Sequence, residues 1–207
     1  MVPKRIFTYW INDDPDSMPQ LAKDCIETQK KCAEQFGYEH RILTIDDCRI
    51  GSRYVDECLS RHDVKGYVKA SDFIRVWYVW KYGGIALDSD MSVLEEKNFD
   101  HLLDCEMFVP RDPQGHFGNA GFGAEAGHLI LEYYLKRIGD NFRGEGDMVY
   151  EQGVRGFSDC FYMKDISNVR VLTPDYFFPF NHQTKNESVT ENTIVKHFYA
   201  NSWIDKR

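Results

Sequence analysis

Apolar and polar positions alternate in blocks along this chain. Pro3 to Trp10 is rich in β-branched and aromatic residues, which predicts a first strand, and the polar cluster Asn12–Asp16 closes it as a loop. Ser17 followed by Gln20, with Pro19 between them, has the pattern of a capping box at a helix start. Met18, Leu21, Ala22, Cys25, Ile26, Cys32, Ala33 and Phe36 then fall on one helical stripe that Gly37 ends. Tyr38–Leu43 reads as a second strand. Strand, helix, strand in that order predicts an α/β chain with parallel pairing and right-handed crossovers.

The pattern continues with a helix over Asp46–His62 and another over Tyr67–Tyr82, the latter with Phe73, Ile74, Trp77 and Trp80 on its apolar face. Asn98 is placed to cap a short helix, Met107–Val109 reads as a strand, and His128–Ile138 as a helix. The glycine-rich, polar run Arg111–Gly123 is expected to be a binding loop. Val169–Leu172 and Thr193–Phe198 read as late strands.

One stretch stands apart. Tyr82-Gly83-Gly84 reads as a helix end with residues free to take the left-handed conformation. Ile85-Ala86-Leu87 reads as a short strand covered on both faces, followed by Asp88-Ser89-Asp90. If the chain stays extended, Asp88 and Asp90 point the same way and converge just past the strand. Two hard oxygen ligands there suit a divalent cation that holds phosphates; a polar turn is the plainer reading of the spacing.

Other residues gain meaning from this stretch. Asp72 and Arg75 lie one turn apart on the preceding helix, with Ser71 beside them, and could offer hydrogen bonds to sugar hydroxyls. A solvent-exposed ion pair is their alternative reading. His197, in a late strand, is a third candidate ligand or a hydrogen-bonded core histidine; as a ligand its nitrogen favours Mn²⁺ over Mg²⁺. Tyr9 and Trp10 end the first strand, where a nucleotide base could stack or ordinary core packing could claim them.

Length, charge and cysteines narrow the class. The 207 residues suit one sizeable domain, taken as 1–207, and 43% hydrophobic residues supply a core. A net charge of −8 argues against a nucleic-acid surface. No apolar run approaches a membrane span and no signal-peptide pattern opens the chain, so the expectation is a cytoplasmic protein, any membrane attachment being peripheral. The six cysteines show no zinc or redox spacing and read as reduced thiols.

Ala70-Ser71-Asp72-Phe73-Ile74-Arg75 and Tyr82-Gly83-Gly84-Ile85-Ala86-Leu87-Asp88-Ser89-Asp90 together resemble glycosyltransferase family 32. This group includes yeast-type mannosyltransferases, bacterial capsular polysaccharide transferases and, more distantly, glucosylating clostridial toxins. The opening Val2–Phe7 and the closing Thr190–Thr193, His197 and Ser202-Trp203 extend the likeness from end to end. The resemblance implies a GT-A fold: a Rossmann-like, single nucleotide-binding domain with a mostly parallel central sheet flanked by helices. It implies Mn²⁺, with Mg²⁺ as the alternative, and a nucleotide-sugar donor, UDP-linked in preference to GDP-linked. The acceptor is expected to be a saccharide or lipid-linked glycan, with retention of anomeric configuration.

By the same resemblance Asp88 and Asp90 hold the metal and the diphosphate, and Asp72 and Arg75 grip the donor sugar. His197, Ser202 and Trp203 belong to a closing C-terminal segment, and Asn119 lines the reacting face. Two departures concern the substrates: Ala86 stands where the family usually has an aromatic residue, and Gly144–Asp147 occupies the region of its Thr-Gly-Pro segment. Two rival functions remain: a haloacid-dehalogenase-like phosphatase with Asp88 as nucleophile and Asp90 as acid and base, and a non-catalytic nucleotide-sugar-binding module.

Overall fold

A computed structural model describes residues 1–140, 153–181, 184 and 186–200. Gly144–Asp147, Ser202 and Trp203 lie outside them. Strand β1 (Arg5–Tyr9) leads through a one-turn 3-10 helix to α1 (Gln20–Phe36) and β2 (Glu39–Leu43). Helices α2 (Arg53–Leu59) and α3 (Val64–Tyr82) precede β3 (Gly84–Leu87) and the short β4 (Met91–Val93). Then follow β5 (Met107–Pro110), β6 (Gly121–Ala124), α4 (Leu129–Asp140), α5 (Val154–Tyr162) and β7 (Val169–Leu172). Two-residue strands β8 (Phe180–Asn181) and β9 (Asn186–Glu187) come before β10 (Val195–His197).

The central sheet has the order β2-β1-β3-β6-β5-β7. All its pairs are parallel except those of β6, which runs antiparallel to both β3 and β5. Side-chain alternation divides the core. Ile6, Ile85 and Phe108 pack on the face shared with Cys32 and Ala33 of α1. Phe7, Ala86, Met107 and Phe122 face the other way, onto α2 to α5. The result is a mixed α/β, GT-A-type layering, with helices on both faces of a mostly parallel sheet. The six cysteines are unpaired thiols, five of them buried, and among the described residues no helix is long and apolar enough to cross a membrane.

Several local expectations change for physical reasons. Ser17 does not cap α1: it ends the 3-10 turn that Asp14 caps, and Gln20 donates forward to Asp24 Oδ1 at 2.7 Å. The helix expected over 46–62 is two pieces, a 3-10 turn (Ile45–Cys48) and α2, because the chain turns at Gly51 with φ 73°. Helix α3 starts earlier than expected because the Asp63 side chain accepts from Gly66 N at 2.6 Å. The expected loop 111–123 folds back as a hairpin, bridged at Arg111–Phe117, and ends in strand β6 in the middle of the sheet. Its glycines serve ring packing: a Cβ on Gly123 would sit 2.4 Å from the Phe108 ring, and one on Gly121 would sit 2.8 Å from Phe177.

The helix-to-strand corner at Gly83–Gly84 sets where β3 enters the sheet. Gly84 has φ 128°, and a Cβ there would lie 2.8 Å from the carbonyl oxygen of Arg5 on β1. Strained φ and backbone overlap act together, so Gly84→Ala is expected to destabilise the fold by roughly 1–3 kcal/mol, seen as a lower urea midpoint with an unchanged m-value.

Candidate functional site

The last residue of β3 is Leu87, so Asp88 and Asp90 are not on extended chain. They flank a tight turn closed by Met91 N donating to Asp88 O at 3.1 Å. The two carboxylates converge through this turn rather than through the two-residue strand period. The third member arrives from far along the chain: β10 pairs antiparallel with β4, and the register Met91↔His197 sets the imidazole beside the acids. One ligand atom each from Asp88, Asp90 and His197 lies within 4.8 Å of the others.

His197 Nε2 is 3.2 Å from Asp90 Oδ1 and 3.9 Å from Asp88 Oδ2. Tyr199 takes a positive φ of 49°. Just beyond it, the Ala200 N–H donates to Asp90 Oδ2 at 2.8 Å. Burial alone would raise the Asp90 carboxyl, but His197 and the Ala200 amide outweigh it and hold the group down at about 2. Asp88 goes the opposite way: burial first, and the neighbouring charge of Asp90 second, push it well above the usual carboxylate range.

Beneath the acids sits Arg75, 5% exposed, between Asp72 (Nη2 to Oδ1, 3.1 Å) and Asp88 (Nη1 to Oδ1, 2.9 Å). The Asp72–Arg75 pair is therefore buried, not the solvent-exposed helical pair that the spacing allowed. Nη1 donates one of its two hydrogens to Asn119 O at 2.8 Å. Its approach to Asp88 is an ion pair without an aligned hydrogen bond, and Asp88 Oδ1 is a buried acceptor with no hydrogen bond. Asn119 Nδ2 donates to Asp72 Oδ1 at 2.9 Å. Even so, burial dominates at Asp72 and raises its carboxyl, the Arg75 charge only partly opposing. The guanidinium carbon of Arg75 lies 4.3 Å from the Tyr9 ring centroid.

These groups open onto a cavity of about 480 Å³, which Tyr9, Trp10, Ser71, Asp72, Arg75, Asp88, Asp90, Asn119 and His197 all line. Nine of the eleven residues picked out from the sequence are thus brought together; the other two are Ser202 and Trp203. Ser71 donates to Tyr67 O at 2.8 Å, and both the Tyr9 hydroxyl and the Trp10 Nε1 are buried without a hydrogen-bond partner. Sequence reasoning missed Tyr199, the Ala200 amide, the apolar wall from Ile11, Pro19, Leu21 and Val64, and Gln29 behind the turn. The one available signal was Gln29, a glutamine on an otherwise apolar helical stripe.

Two carboxylates and an imidazole are a suitable donor set for a borderline divalent cation. The acceptor left unbonded on Asp88, with its raised carboxyl, is what a site short of positive charge should show.

A GT-A layer order with paired acids at the mouth of a cavity past β3 defines the chain as a glycosyltransferase-type fold. Residues 7–109 match the family described as glycosyltransferase sugar-binding region containing DXD motif, so this part of the chain is a glycosyltransferase region of that type. It is 27% identical over 141 residues to inositol phosphoceramide mannosyltransferase 3 of Schizosaccharomyces pombe, a match spanning 66% of this chain and 37% of that protein. Among solved structures it is similar in fold to the PaToxG glycosyltransferase, with TM-score 0.58, 18% identity and coverage of 78% of this chain and 68% of that one. It is also similar to a glycosyltransferase involved in glycosylating the major capsid of PBCV-1, with TM-score 0.56, 13% identity and 94% of each chain covered.

The raised carboxyl of Asp88 makes it a group that opposes folding at neutral pH, since the unfolded chain would carry it ionised without penalty. Asp88→Asn should therefore raise the melting temperature of the metal-free protein at pH 7. That gain should shrink as pH falls toward the ordinary carboxylate range and be gone below it, where unfolded Asp88 is protonated as well. The same substitution should abolish any stabilisation by Mn²⁺, which thermal melts with and without the ion would show.

Proposed function

We propose that the chain transfers a hexose from a nucleotide diphosphate sugar to a saccharide or lipid-linked acceptor, with retention of configuration and dependence on a divalent cation, Mn²⁺ in preference to Mg²⁺. The observation that carries this reading is the buried, unbonded Asp88 Oδ1 in a converging Asp-Asp-His set at the mouth of the cavity. Asp88, Asp90 and His197 would hold the cation. Bound there, it supplies Lewis-acid neutralisation of the negative charge that gathers on a departing diphosphate.

The chain's own residues do the rest. Asp72 and Asn119, linked by their 2.9 Å hydrogen bond and anchored on Arg75, present fixed acceptor and donor groups to the hydroxyls of the hexose. The Arg75 guanidinium adds a buried positive charge on the same side, preorganised rather than recruited during reaction. Tyr9 is committed to packing against Arg75, which leaves the Trp10 indole and the apolar wall to receive the base. Ser202 and Trp203, which the family resemblance assigns to the same site, would offer two further hydrogen-bond donors to the diphosphate.

The name of the fission-yeast relative, a mannosyltransferase for inositol phosphoceramide, supports a hexose donor and a lipid-borne acceptor. A UDP-sugar is the favoured donor and a GDP-sugar the competing one. The enzyme would work in the cytoplasm and meet a lipid-linked acceptor by peripheral association. A phosphatase reading loses ground because a raised Asp88 carboxyl is a poor nucleophile.

Thermal melts with Mn²⁺ and a panel of UDP- and GDP-sugars test this directly. A true donor at 100 times its Kd should add about 2.7 kcal/mol of stability, a rise of roughly 5–10 °C for a chain of this size. The donor that stabilises should then release nucleotide in the presence of acceptor, and Asp90→Ala should remove the Mn²⁺-dependent part of both signals. Metal-dependent turnover at the wild-type rate in Asp90→Ala would refute the assignment, and the anomeric proton coupling of the product reports retention.

A further inference from the structure

Gln29 lies on α1 and is fully buried. Its Nε2 donates to Asp88 O at 3.0 Å and to Met91 O at 2.7 Å, the two carbonyls that bracket the Asp88–Met91 turn. Its Oε1 accepts from Thr8 Oγ1 on β1, and Thr8 Oγ1 is 3.0 Å from His40 Nε2 on β2. We infer that Gln29 is a positioning residue for the cation site, holding the acidic turn in its converging shape from behind, with Thr8 and His40 fixing which way its amide faces. This rests on the cation reading given above.

Proton counting gives the chain of bonds a single direction. Gln29 Oε1 carries no hydrogen, so the one hydroxyl proton of Thr8 goes to it, and His40 must donate through Nε2–H. Both hydrogens of the amide nitrogen are then spent on the two carbonyls. Rotated by half a turn, the amide would aim its oxygen at two carbonyl oxygens inside the protein, a buried mismatch. His40 is suited to a neutral, donor-fixed role because burial first, and Lys30 second, lower its pKa to about 4.

The turn needs such a restraint. Two acidic side chains whose oxygens lie within 4.8 Å repel each other when both are ionised, the form that holds a cation, and without a brace the turn would be free to open and swing them apart. A brace on the backbone carbonyls leaves every side-chain oxygen available to a ligand. The partners differ from those of a residue that merely fills space: neighbouring Thr28 also ties α1 to the region, accepting from Val93 N at 2.9 Å, but does not touch the turn.

The test compares Gln29→Met, Thr8→Val and Thr28→Val with the full-length wild-type protein. Mn²⁺ affinity is read by electron paramagnetic resonance of the free ion, without donor or acceptor, and exchange of the Met91 amide hydrogen is read by NMR. Gln29→Met should weaken Mn²⁺ binding about tenfold or more, in the range seen when outer partners of a metal site are removed, and speed Met91 exchange. Thr8→Val, which leaves Gln29 in place but unoriented, should act in the same direction by less. Thr28→Val should lower the melting temperature and change neither readout. Wild-type affinity in Gln29→Met, or losses in all three variants that simply follow their melting temperatures, would overturn the inference. If the wild type binds no Mn²⁺ the cation reading fails instead, and the Met91 exchange rates still decide whether Gln29 restrains the turn.

Discussion

Three carboxylates are gathered around one buried guanidinium, and the rest of this molecule is arranged to tolerate them. Asp72, Asp88 and Asp90 share Arg75 and His197 as their nearby basic groups. Arg75 serves two acids at once and also donates to the Asn119 carbonyl, and its 2.9 Å approach to Asp88 is not an aligned hydrogen bond, so Asp88 is attracted yet unbonded. In a recessed cavity an unmet acceptor is costly, because little water reaches it to replace the missing partner. Stability and readiness to bind a cation are therefore opposed at Asp88, and the fold sits on the side of readiness.

Holding that arrangement takes rigid elements on three sides. Helix α3, buried on nearly every side, fixes Asp72 and Arg75 from below. The Gly83–Gly84 corner delivers β3 into the sheet so that Asp88 emerges directly above them. The β4–β10 ladder supplies His197, and here register decides everything: a slip of one residue would send the imidazole to the opposite face and bring Lys196 in its place. Phe198 N donating to Asp90 O at 3.1 Å and the Ala200 amide on the Asp90 side chain lock that register at its far end. The acids themselves thus help to seat the C-terminal segment that completes their own site.

How much of this could be read from residues alone depended on the range of the forces involved. The helix-glycine-strand-acid stretch was legible because each step is local: Gly83 ends a helix, Ile85–Leu87 is too apolar to be exposed, and the acids follow at once. The burial of Asp72 and Arg75 was not legible, since their one-turn spacing is the same on an exposed helix; only the packing of β6 and Asn119 over them decides. Gly121 and Gly123 looked like loop residues because the reason for them, the Phe177 and Phe108 rings lying over the strand, comes from distant segments. Likewise the acids converge by a turn whose shape depends on Gln29, nearly sixty residues earlier.

This separation between what is local and what is assembled has a chemical logic. The ligand types themselves, carboxylate and imidazole, are set by single residues and survive in a motif. Their spacing is set by backbone contacts made across the sheet, from β2 through Thr8 and Gln29 to the turn on one side and from β10 on the other. A cation placed among Asp88, Asp90 and His197 would relieve the like-charge repulsion and the unbonded oxygen together. Relief of this electrostatic strain, present in the fold without the ion, would then contribute to binding. Restraints that stop the protein from relaxing that strain on its own, by opening the turn or slipping β10, are for this reason as much a part of the site as the ligands.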